Sequence, residues 1–133
     1  MGAKAGSTPQ RDADIVTVSF DTARKIALAL PGVEEYLCYG TPAFRVGKKL
    51  LARLREDGDT LVLKIEDSQR ELLMQVDPQT YFMEEHYRGY PVVLLRLSRI
   101  GADALARLIE DGWHMLAPKR LLAAREKSHG HQA

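Results

Sequence analysis

Five basic side chains, Arg45, Lys48, Lys49, Arg53 and Arg55, fall between Tyr36 and Arg55 with no acid among them. A guanidinium donates hydrogen bonds in a planar fork that matches a phosphate, and an ammonium adds compact charge. The whole chain carries a formal charge of only +1. Attraction for a polyanion must therefore come from a local patch, not from the overall field. Lys64 joins the series if it shares a face with Arg53 and Arg55. The chemistry suggested is phosphate contact with nucleic acid, which positions a backbone without reading its sequence. The competing reading pairs these cations with Glu56, Asp59, Glu66 or Glu84. Exposed pairs of that kind contribute about 0–1 kcal/mol and imply no ligand.

Whether the cations share a face depends on the strands that carry them. Ala43 to Val46 reads as one strand, Gly47-Lys48 as a turn and Lys49 to Arg55 as a second strand. Asp57-Gly58 is a hairpin signal, and Thr60 to Ile65 is a third strand. Period-2 alternation predicts Leu50, Ala52, Leu54, Leu61, Leu63 and Ile65 on the buried side. Leu51, Arg53, Arg55 and Lys64 then face the other way, where Arg45 and Arg96 extend the patch. The acids Glu56, Asp57 and Asp59 crowd the hairpin tip and should repel phosphate, whereas the Gly47 turn should approach it.

The remaining elements follow from caps and periodicity. Ser19 caps a helix that Pro31-Gly32 ends. Glu34 to Pro42 reads as a loop or short strand. Asp67 or Ser68 caps a short helix to about Val76, with Leu72, Leu73 and Val76 turned inward. Tyr81 to Tyr90 is ambiguous, and Pro91 to Leu97 is a strand. Gly101 to Asp111 is helical, Gly112 breaks or bends the helix, and Trp113 to Glu126 is helical again with an interruption near Pro118. Helix, three strands, helix, one or two strands and two helices predict an α+β fold, an antiparallel sheet with helices packed on one face. Residues 1–14 and 128–133 read as mobile tails around a single domain spanning residues 15–127.

Composition excludes several classes. Hydrophobic residues at 45% and charged residues at 28% are globular values. A single cysteine, Cys38, rules out an intrachain disulfide framework and fits a reducing compartment. It reads as a buried thiol. No apolar run reaches the roughly 18 residues of a membrane span, and MGAKAGSTPQRDAD has no apolar core of a secretory signal. The expected location is the cytoplasm. His86, His114, His129 and His131 show no zinc-site spacing. No nucleophile elbow or phosphate-cradling loop occurs, so no catalytic residue, metal or cofactor is expected. Trp113 reads as core. The aromatics are not interleaved with the basic strand residues as they are in binders that stack bases; Tyr87 and Tyr90, beside Arg88 and Gly89, are the better surface candidates among them.

Three blocks in order resemble the MmcQ/YjbR-like family. The first is ALALPGVEEYLCYGTPAFRVGKKLLARL from Ala27 to Leu54, with Gly40, Pro42, Phe44, Val46 and Lys48 in a Gly-x-Pro-x-Phe-x-Val-x-Lys pattern. The second is the Leu61 to Ile65 strand with its following helix. The third is DGWHMLAPKRLLA from Asp111 to Ala123. The resemblance covers about Phe20 to Lys127. Family members often have an aromatic where this chain has Leu50, and the segment His86 to Tyr90 is only loosely similar. The resemblance implies a fold similar to CyaY and to the double-wing domain of the phage transcription factor MotA, a shape for which members are commonly labelled DNA-binding. The expected function is therefore non-enzymatic DNA binding through Arg45, Lys48, Lys49, Arg53, Arg55 and Lys64. The alternative is a protein-interaction or small-ligand domain, in which Val62, Val92 and Leu94 form a desolvated centre.

Overall fold

Helix α1 spans Phe20–Leu28 in the computed structural model, which describes residues 18–132, with side chains to residue 127. The tail expected at residues 1–14 lies outside the described residues. Ser19 occupies the N-cap of α1, without a side-chain capping bond. Four strands follow: β1 Val33–Cys38, β2 Thr41–Val46, β3 Lys49–Leu54 and β4 Thr60–Lys64. Then come α2 Asp67–Val76, β5 Tyr81–Phe82, a 3₁₀ turn at Glu85–Tyr87 and β6 Val92–Arg96. A second 3₁₀ turn, Leu97–Arg99, leads to α3 Ala102–Leu116 and α4 Lys119–Gln132. The expected C-terminal tail is thus helical in backbone through Gln132.

The strands form one antiparallel sheet in the order β1-β2-β3-β4-β6-β5. The α+β expectation, antiparallel sheet and helical layer, holds. There is one more strand before α2 than expected, because the segment read as a loop or short strand is β1. Tyr39 and Gly40 join β1 to β2 with φ of 54° and 83°, the left-handed pair that matches strand twist in a two-residue hairpin.

Strand alternation breaks in β3. Phe44 pairs with Ala52, but Arg45 pairs with Leu50, which leaves Leu51 as an extra residue. A bulge of this kind lets two successive side chains turn the same way. Both Leu51 and Ala52 enter the main core. The expected placement is therefore corrected: Leu51 is fully buried under the helices, while Leu50 shares the opposite face with Arg45.

Helices α1 and α3 pack together on the core face, and α3 lies across β3 and β4. Trp113 is fully buried, and its Nε1 donates to the carbonyl of Pro31 at 2.8 Å. Gly112 does not break α3, which runs through it. The break comes at Ala117-Pro118. Two further expectations fail in α2, where Leu72 and Val76 are 59% and 73% exposed. Leu73 and Met74 are the side chains of α2 packed on the core. Helix α2 lies against β5 and β6 at the sheet margin, so it has only a narrow, partly buried stripe.

Candidate binding site on the open sheet face

The face away from α1 and α3 carries a transverse row set by register: Tyr36, Ala43, Arg53, Val62, Leu94 and Phe82. Val62, Val92 and Leu94 form a second small core, with Phe82, Met83 and Tyr87 packed on it. The connection between β5 and β6 therefore folds back over part of this face. The remainder is open.

Arg45, Arg53, Arg55 and Lys64 do share this face, as alternation predicts once the bulge is included. Each arginine is already engaged. Arg45 Nε donates to Glu34 Oε1 at 3.3 Å. Arg53 is only 8% exposed; its Nε donates to the Cys38 carbonyl at 3.1 Å and its Nη2 to Glu56 Oε2 at 2.8 Å. Arg55 Nη1 donates to Glu84 Oε1 at 2.9 Å. That hydrogen bond outweighs burial and raises the Arg55 pKa above its already high value. The Glu56 carboxyl is held below the usual range, first by its own backbone N–H and then by Arg53.

Aromatic rings cover the same cations. Arg45 lies 4.6 Å from the Tyr36 ring centroid, Arg53 5.5 Å from that of Tyr39 and Arg55 5.9 Å from that of Tyr87. The expectation that aromatics and basic residues are separate is corrected here: they are apart in sequence and stacked in space. Cys38 is half-buried, not buried. The hairpin acids do structural work. Asp57 accepts from the N–H groups of Asp59 and Thr60 and from Thr60 Oγ1, and Asp59 accepts from Ser98 N and Oγ.

Lys48 and Lys49 do not join this group. They project at the β2–β3 turn beside α4. Lys64 is half-buried and takes part in no ion pair among the described residues.

Next to Lys64 the face is concave. Leu50, Val62 and Val92 form the floor of a recess of about 330 Å³, with Tyr87, Tyr90 and Pro91 around it. His86 also borders it and packs edge-on against Tyr87, with ring centroids 4.8 Å apart. Sequence reasoning identified Val62 and Val92 but assigned Leu50 to the core, because nothing in plain alternation signals the bulge. Among the described residues, no three His, Cys, Asp or Glu side chains gather to hold a metal ion. Among those residues, no helix is long and apolar enough to cross a membrane.

Similar proteins carry no assigned activity in their names. Mb2600 of Mycobacterium bovis and Rv2570 of Mycobacterium tuberculosis, both called uncharacterized proteins, are 32% identical, with alignments covering 80% of this chain and 94% of theirs. The crystal structure of Deinococcus radiodurans protein DR2400, with family domain DUF419, superposes with a TM-score of 0.67 at 24% identity, over 88% of this chain and 90% of that one. The YjbR family profile matches residues 28–115, from the end of α1 to the last turn of α3, which takes in the whole sheet and both of its faces. The chain belongs to the YjbR family.

Proposed function

We propose that the open sheet face is a non-catalytic binding surface whose occupant is a small molecule with an apolar body and an anionic end. The observation that carries this reading is the recess floored by Leu50, Val62 and Val92, with the uncompensated Lys64 at its side. Its volume of about 330 Å³ falls among small-ligand pockets, which are mostly apolar with a few polar groups that set orientation. Tyr87 and Tyr90 offer rings to an aromatic or alicyclic body. A binding role is favoured over chemistry because Glu84, the acid two residues before His86, is committed to Arg55.

DNA binding on this face has weaker support. The phosphates of a duplex would compete with Glu34, Glu56 and Glu84 for Arg45, Arg53 and Arg55. Where a carboxylate is displaced, the phosphate only replaces the charge-assisted hydrogen bond that is lost.

Titration with anilinonaphthalenesulfonate, an aromatic sulfonate, tests the reading by fluorescence. Leu50→Glu should weaken binding by about tenfold or more, and Lys64→Gln by about fivefold. Unchanged affinity in both variants, with folding intact by circular dichroism, would remove the proposal.

A further inference from the structure

A second concavity lies on a different surface, between the β2–β3 turn and the start of α4, with a volume of about 530 Å³. Lys48 and Lys49 reach it from the turn, and Arg120 reaches it from the first turn of α4. None of the three takes part in an ion pair among the described residues. Glu34 is the acid in the lining, and Arg45 already holds it from the neighbouring strand. The cleft is therefore cationic in balance, although the chain is nearly neutral.

The arrangement is built, not accidental. Gly32 has φ of +77°, and a Cβ added there would stand 2.5 Å from Leu121 Cδ1. Glycine thus lets α4 begin hard against the α1–β1 turn. Leu121 follows Arg120 directly, so the contact that seats Leu121 also places the backbone of Arg120 at the rim. On the other side, Gly47 turns with φ of +63° and presents Lys48 and Lys49. Cations from two distant segments meet across open space, and the acid in the lining, Glu34, is already paired with Arg45.

We infer that this cleft binds a phosphate group, either of a small phosphate or of a nucleic-acid backbone. The lysines supply charge and the guanidinium a planar fork, gripping the oxygens from two sides. The positive end of the α4 dipole adds to the attraction but does not carry the inference. The site is separate from the apolar recess and does not depend on it.

The test titrates the full chain with inorganic pyrophosphate and follows backbone amide signals by NMR. Shifts should centre on Lys48, Lys49, Arg120 and their neighbours. The double variant Lys48→Gln, Arg120→Gln should bind at least about tenfold more weakly. Both side chains are exposed, so the variant keeps its fold. An absence of shifts at the cleft, or unchanged affinity in the double variant, overturns the inference. A second arm uses a labelled DNA duplex. Competition with pyrophosphate, with the salt slope reduced by about 2 in the double variant, supports the site and assigns the phosphate to nucleic acid. Pyrophosphate binding without competition supports the site and assigns a small phosphate. Leu50→Glu should leave either binding unchanged, which separates this inference from the proposal for the recess.

Discussion

The carbonyl oxygen of Lys64 lies so near Gly112 that a Cβ on that glycine would stand 2.6 Å from it. Lys64 thus works on both sides of the sheet. Its backbone sets how closely α3 can approach β4, and its side chain flanks the recess on the opposite face.

Replacing Gly112 with alanine should therefore destabilise the protein. Alanine is the better helix former by about 1 kcal/mol. The contact is with backbone, however, and Leu51 Cδ1 is also only 3.2 Å away. Helix and strand must separate, a form of overpacking that typically costs about 1–3 kcal/mol. Urea denaturation would register this as a lower midpoint; a Gly112→Ala protein as stable as the parent contradicts the packing described.

The bulge in β3 makes neighbouring leucines unequal. Leu51→Ala removes a fully buried side chain and should cost about 2–5 kcal/mol. Leu50→Ala removes a half-buried one and should cost about 1 kcal/mol or less. Thermal melts of the two variants decide the matter. Regular alternation would reverse their order, so equal or reversed losses would show that the bulge is misplaced.

The β3–β4 hairpin should weaken in acid through Asp57. Burial pushes its carboxyl up, but hydrogen bonds from Asp59 and Thr60, with help from Arg55, outweigh burial and leave it below the ordinary carboxylate range. A folded-state pKa below the unfolded one contributes stability that is fully present above the unfolded value, near pH 4. That contribution is lost as the pH falls through the lower folded value. The stability gap between the parent protein and Asp57→Ala should be constant near neutrality and shrink below about pH 4. Melting temperatures measured across that range check it, and a gap that persists unchanged in strong acid argues against a charged Asp57.

Much of this arrangement was legible in the sequence because it depends on local signals. Asp57-Gly58 marks its hairpin, and the apolar setting of Trp113 marks it as core. The strand face of Arg53, Arg55 and Lys64 follows from alternation. What was not legible depends on partners remote along the chain. Glu84 stands among the partners the sequence offers these cations, but nothing near Arg55 selects it, 29 residues on, over Asp59 or Glu66. Nothing near Lys48 points to Arg120 across the cleft. The exposure of Leu72 and Val76 has the same origin: periodicity describes a helix's apolar stripe, but the marginal position of α2 decides how much of that stripe finds a neighbour. Gly112 was misread because its missing side chain answers a close approach, and a close approach leaves the same mark in sequence as a break.

The way the sheet ends has a bearing on how copies of this chain behave at high concentration. On one side it stops at β5, a strand of two residues, too short to template another chain. On the other it stops at β1, where the adjacent Glu34 and Glu35 are ion-paired with Arg45 and Arg24, so an incoming strand would have to cover paired charge. Unpaired strand margins are where fibril growth starts, and brevity and charged side chains are recognised defences against it. The six-stranded sheet is thus guarded at each margin by a different device.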